Sequence, residues 1–150
     1  MKVLLVGNPN AGKSTLFNAL ARGHAKVGNW HGVTGGALEK ETILGGRRVT
    51  LVDLPGIYTA EGMSMEEKGA RSYLAAHPTA PVLFVCECGA VERCLPLFFA
   101  LAKGRRAALV LTKAKRFYAR SGKLDLRLLE KRLGAPVFVA EGLRRGALLA

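Results

Sequence analysis

Gly7-Asn8-Pro9-Asn10-Ala11-Gly12-Lys13-Ser14 follows the spacing G-x-x-x-x-G-K-[ST]. Glycines at both ends of such a run let the backbone fold into a nest whose N–H groups converge on an anion. A helix that starts at the lysine adds the positive end of its dipole. Lys13 then meets the outer oxygens of a phosphate chain, and the Ser14 hydroxyl is the hard donor that magnesium takes. The expected phosphate-binding set is Asn8, Pro9, Asn10, Ala11, Gly12, Lys13, Ser14 and Thr15. The motif has this meaning only between a strand and a helix, so its flanks decide.

Two further segments supply what a triphosphate switch requires. Asp53-Leu54-Pro55-Gly56 closes an apolar run, so the Asp53 carboxylate is placed to hold magnesium through water and the Gly56 N–H to face the terminal phosphate. Thr34, in Gly28-Asn29-Trp30-His31-Gly32-Val33-Thr34, carries a hydroxyl that can close over the magnesium when the third phosphate is present. The switch residues read this way are Gly32, Val33, Thr34, Asp53, Leu54, Pro55 and Gly56, and the catalytic ones are Lys13, Thr34 and Gly56.

The elements that must position these residues follow from period and punctuation. Lys2–Val6 is a continuous apolar run ending in glycine, the pattern of a strand buried on both faces. Lys13–Arg22 has Leu16, Phe17, Ala19 and Leu20 at helical spacing. Further strands are predicted at about Val49–Asp53, Pro81–Cys86, Ala107–Thr112 and Pro136–Ala140, with helices at about Met65–Ala76, Val91–Lys103 and Asp125–Leu133. Such alternation implies a parallel sheet with helices on both faces. Ala37–Leu44, before the Gly45-Gly46 turn, is predicted to hairpin onto Val49–Asp53 as one antiparallel edge strand. Gly23–Gly36 has no period and reads as a mobile loop. Leu143–Ala150 reads as the opening of a helix that stops short.

With 150 residues, 49% of them hydrophobic, the chain is expected to form one domain without help from disulfides or metal. The N-terminus turns glycine-rich too soon for an export leader, and no apolar run reaches the roughly 20 residues that cross a bilayer. Cys86, Cys88 and Cys94 lack a fourth ligand and a nearby histidine, and read as reduced thiols of a cytoplasmic protein. The net charge of +12 is uneven: Lys103 to Arg145 holds thirteen basic residues against Asp125, Glu130 and Glu141. A basic face suits an anionic membrane surface or an acidic protein, or is simply solvated. Nucleic acid is set aside, because only Phe117-Tyr118 interleave aromatics with the basic residues.

The chain resembles the N-terminal cytosolic G domain of the FeoB ferrous-iron transporters. The likeness rests on Gly7-Asn8-Pro9-Asn10 with Gly12-Lys13-Ser14-Thr15-Leu16-Phe17-Asn18, on Val27-Gly28-Asn29-Trp30 with Gly32-Val33-Thr34, and on Asp53-Leu54-Pro55-Gly56-Ile57-Tyr58. It continues through Glu66-Glu67, Ala70-Arg71, Tyr73-Leu74 and Val91-Glu92-Arg93 to Leu95. The resemblance implies a three-layer P-loop NTPase fold of the small-GTPase kind, binding of GTP and GDP with Mg2+, and slow hydrolysis. It also implies a membrane transport domain as partner, in cis or in trans, at the cytoplasmic face of the inner membrane. The family's helical and membrane domains are not in this sequence, and the G domain reads as truncated in or before its last helix. Asn10 occupies the position where potassium-activated relatives hold K+ beside the phosphates, which implies that Asn10 is catalytic as well. Ile57 stands where many GTPases carry the glutamine that orients water, which implies slow intrinsic turnover.

The base half of the site departs from the pattern. A GTPase reads guanine with Asn-Lys-x-Asp after its fifth buried strand, where the aspartate accepts two hydrogen bonds from the ring. Here the stretch is Thr112-Lys113-Ala114-Lys115, and lysine only donates. Ala140-Glu141-Gly142 replaces the usual Ser-Ala, and Glu87 stands where an aspartate is common. The candidate base residues are Thr112, Lys113, Lys115 and Ala140. Three outcomes fit: guanine held weakly through its phosphates, acceptance of several bases, or an interaction module that no longer hydrolyses nucleotide.

Overall fold

The computed structural model describes residues 1–7, 11–21, 27–29, 38–54 and 65–140. They form β1 (Lys2–Gly7), α1 (Lys13–Leu20), β2 (Val27–Asn29), β3 (Leu38–Leu44), β4 (Arg47–Asp53), α2 (Met65–Ala76) and β5 (Val82–Glu87). A short 3-10 turn (Cys88–Ala90) leads into α3 (Val91–Ala102), β6 (Ala107–Thr112), α4 (Ala114–Ser121), α5 (Leu126–Leu133) and β7 (Val137–Val139). The strands make one sheet in the order β2-β3-β4-β1-β5-β6-β7.

The continuous apolar runs explain the layering. In β1, Leu4 and Val6 join one buried cluster while Val3 and Leu5 join another. The same alternation divides β5, where Val82, Phe84 and Cys86 oppose Leu83 and Val85, and β6, where Leu109 and Leu111 oppose Ala108 and Val110. A strand with apolar side chains on both faces needs a helix over each. On one face α1 supplies Leu16, Phe17 and Leu20. On the other lie Ala70, Tyr73 and Leu74 of α2, and Cys94, Leu97, Phe98 and Leu101 of α3. Complete burial of such side chains contributes about 1.5–3 kcal/mol each.

The pairs β1·β4, β1·β5, β5·β6 and β6·β7 are parallel, and β3 runs antiparallel to β4 from Leu38 opposite Asp53 to Leu44 opposite Arg47. The α/β class and the antiparallel strand are those expected from the sequence. Three details differ. Within the stretch read as an aperiodic loop, Val27–Asn29 is a strand that pairs outside β3. α1 ends at Leu20, where the Ala21 N–H closes on Phe17. α4 was not anticipated, because its polar sequence Ala-Lys-Arg-Phe-Tyr-Ala-Arg-Ser buries Ala114 and leaves most of the rest exposed. Asp125 caps α5 by accepting from the Leu128 N–H at 3.1 Å, one residue before the helix proper. The helix expected over Leu143–Ala150 lies outside the described residues.

Candidate functional site

β1 is central, and its C-terminal end opens between those of β4 and β5. Gly7 ends the strand at φ 149°, where an added Cβ would lie 2.3 Å from the Val85 carbonyl oxygen. The strand can turn away here only with a glycine. Gly12 adopts the left-handed conformation, φ 84° and ψ 21°, immediately before α1. Lys13 is thereby the first helical residue, and it is only 5% exposed.

The Lys13 ammonium meets the Asp53 carboxylate and also donates to the Leu54 carbonyl at 2.7 Å. Strand register explains the meeting, since Leu5 pairs with Asp53 and the Leu54 N–H donates to the Leu5 carbonyl at 3.2 Å. Asp53 is itself buried. Two charges are thus held out of water in partnership, an arrangement that is tolerable only while both remain. Ser14 and Thr15 are both exposed, in the first turn of α1. Ser14 and Asp53 offer hydroxyl and carboxylate oxygens, the donor set that suits a hard divalent cation.

Thr112, at the end of β6, donates its hydroxyl to the Ala11 carbonyl, and its methyl lies 3.6 Å from where a Gly12 Cβ would stand. Thr112, the first of the residues expected to meet the base, therefore braces the segment ahead of α1. Lys113 is the only described non-glycine residue with positive φ, 56° with ψ 31°, and it precedes α4. Its ammonium pairs with Glu87 at 3.1 Å across the ends of β5 and β6, where Glu87 and Thr112 are register partners. Both side chains are well exposed, 50% and 35%, so the pair orients more than it stabilises. Lys115 is exposed on α4, and Ala140 follows β7, its N–H donating to the Leu111 carbonyl at 2.8 Å.

The described residues thus bring together Ala11, Gly12, Lys13 and Ser14 of the phosphate set with Asp53 and Leu54 of the switch set, and place Thr112 against Ala11. Asn8, Pro9, Asn10, Gly32, Val33, Thr34, Pro55, Gly56 and Ile57 lie outside the described residues. Sequence reasoning missed the tether from Thr112 to Ala11 and the pairing of Glu87 with Lys113. The available signal was positional, since β5 and β6 adjoin and both residues end their strands.

All three cysteines are free and buried beneath this end of the sheet. The hydrogen bond that Cys86 gives Cys94, together with burial, pushes the Cys86 thiol up, and the same bond draws Cys94 down. Among the described residues no group of three or more His, Cys, Asp or Glu side chains is placed to hold a metal. No described helix is long and apolar enough to cross a membrane.

A mostly parallel sheet, with Gly7 closing β1, Gly12 preceding α1, a buried lysine opening the helix and an aspartate ending the adjacent strand, defines a P-loop α/β domain of the G-domain kind. The chain belongs to the family described as ferrous iron transport protein B, whose family model matches residues 1–147. It corresponds to the N-terminal G domain of that family. The Fe(2+) transporter FeoB of Synechocystis sp. is 31% identical over 138 residues, covering 91% of this chain and 22% of the relative. The Methanocaldococcus jannaschii Fe(2+) transporter FeoB is 41% identical over 96 residues, covering 64% and 14%. The chain therefore spans about a fifth or less of the length of these curated relatives.

Among solved structures, the G domain of the T. maritima FeoB iron transporter superposes with a TM-score of 0.83 at 34% identity, covering 99% of this chain and 93% of that one. An S. thermophilus NFeoB E67A mutant bound to GDP superposes with a TM-score of 0.82 at 29% identity, covering 99% and 58%.

Proposed function

We propose that this chain is a regulatory G domain of a ferrous-iron transport protein, which binds a nucleoside triphosphate on its P-loop and hydrolyses it slowly. The observation that carries this reading is the convergence of buried Lys13 and Asp53 at the mouth between β1 and β4. Phosphate oxygens compete with Asp53 for the Lys13 ammonium. Binding then couples the phosphate loop to the segment that begins at Asp53. Ser14 and Asp53, with Thr34, would hold Mg2+, which spreads positive charge over the phosphates when bound. Asn10 is the proposed K+ ligand. The GDP in the S. thermophilus structure supports the nucleotide class. The working location proposed is the cytoplasmic face of the membrane, beside a transport domain in cis or in trans.

A second reading concerns the base. Lys115 presents a donor where guanine needs an acceptor, which favours a domain that holds nucleotides by their phosphates and accepts ATP as well as GTP. Both readings are tested by competing GTP, ATP and GDP, with magnesium, for a fluorescent GTP analogue. Lys13→Ala is expected to abolish binding, and Lys115→Asp to raise the preference for GTP over ATP about tenfold or more. Retention of analogue binding by Lys13→Ala would remove the P-loop reading. An unchanged GTP-to-ATP ratio in Lys115→Asp would show that residues 112–115 do not face the base. Faster turnover in potassium than in sodium is expected if Asn10 holds the cation.

A further inference from the structure

Thr112 touches the phosphate loop at Ala11, so the residues that follow it start directly beside the P-loop. Lys113 caps the start of α4, and Arg116 and Arg120 lie four residues apart on it, the spacing that shares one helix face. With Arg93 of α3 and Glu87 they line a cleft of about 380 Å³ between the two helices. Through Lys113 and Arg116 it adjoins a second recess of about 580 Å³, which Lys115 also lines. Among the described residues that line the two recesses are five cations and one carboxylate, Glu87, with which Lys113 pairs. Among the described residues Arg93, Arg116 and Arg120 make no ion pair, and all three are exposed.

A cleft that offers almost only donors recognises acceptors. Guanidinium forks match phosphate oxygens two at a time. A purine ring leaves most of these cations unused, whereas a chain of phosphates presents acceptors at every step. The cations line a cleft between α3 and α4 that continues into a recess on α4, which suits a slender polyanion better than a flat lipid surface. We propose that this trough binds linear inorganic polyphosphate, one end of the chain lying on the P-loop and the remainder running between α3 and α4. The placement of that end rests on the phosphate-binding reading given above.

The test displaces a fluorescent GTP analogue from the full chain with tripolyphosphate and with medium-chain polyphosphate. The longer chain is expected to act about tenfold more strongly per mole of phosphate, because it engages both sites at once. In Arg116→Gln/Arg120→Gln the gain is expected to vanish while the analogue still binds, and circular dichroism should show an unchanged fold. Equal potency of the two chain lengths, or a gain that survives the double substitution, overturns the proposal. If the analogue fails to bind the unsubstituted chain, calorimetry with medium-chain polyphosphate separates the two ideas. Heat that the double substitution abolishes keeps the trough and sinks the nucleotide reading, and absence of heat sinks both. Anionic phosphatidylserine vesicles that need Arg116 and Arg120, with no chain-length gain, would reassign the face to a membrane and overturn the proposal.

Discussion

The Thr112 hydroxyl donates to the Ala11 carbonyl across 101 positions of sequence, joining the last residue of β6 to the loop ahead of α1. Thr112→Val keeps the shape and removes the donor, leaving a buried carbonyl unsatisfied. The expected loss is about 1–2 kcal/mol in urea unfolding, accompanied by weaker triphosphate binding. Thr112→Ser should retain most of both. A Thr112→Val protein as stable as the parent would show that the tether does not restrain the loop.

Lys13 and Asp53 form a buried pair, so either one alone is costly. Asp53→Ala should destabilise the domain by about 3–5 kcal/mol, because the ammonium keeps only the Leu54 carbonyl. Lys13→Met/Asp53→Leu should recover much of that stability. It should not recover nucleotide binding. Stability and binding therefore separate in the double variant, measured by denaturation and by fluorescent-nucleotide titration.

Two glycines with positive φ distinguish close approach from open turn. At Gly7 a Cβ meets the Val85 carbonyl at 2.3 Å, inside the central β1·β5 pairing, whereas at Gly46 nothing lies within 4 Å. Gly46→Ala should cost only the left-handed backbone, about 1–2 kcal/mol. Gly7→Ala should cost more than about 3 kcal/mol, since backbone must move. Equal melting temperatures for the two variants would contradict this.

The strand-to-helix frame around Gly7, Gly12 and Lys13 was legible because glycine spacing dictates backbone geometry locally. The strands of the core were legible because apolar runs buried on both faces carry no helical period. What was not legible depended on partners distant in sequence. No local pattern announces that Thr112 reaches Ala11, or that Lys113 turns toward Glu87, since both follow from strand register. α4 escaped because Lys115, Arg116 and Arg120 dilute its apolar period, and β2 because a three-residue strand containing Gly28 has too short a pattern to read.

A further prediction concerns alkaline pH. Lys2 donates to the Tyr73 hydroxyl and pairs with Glu39, both at 3.0 Å, and Tyr73 donates to Glu39 at 3.1 Å. Burial alone would lower Lys2, but its bonds to Tyr73 and Glu39 prevail and hold it above the ordinary 10.5. Burial likewise raises Tyr73 above 10.0. Groups whose proton is held more tightly in the folded state contribute fully below their unfolded values. That contribution disappears as pH rises through the folded ones. Stability should therefore fall as pH climbs past 10.0, and the fall should be shallower in Tyr73→Phe, followed by denaturant unfolding across that range.

The place of β1 at the middle of the sheet has a consequence for synthesis on the ribosome. Its residues pair with Thr50–Asp53 on one side and Val82–Val85 on the other. β1, made before either of its neighbours, waits for both, and its apolar edges stay open to chaperones until β5 has been made. The segment ahead of α1 is made early among these elements and completed late, because Thr112 must also arrive before Ala11 is braced.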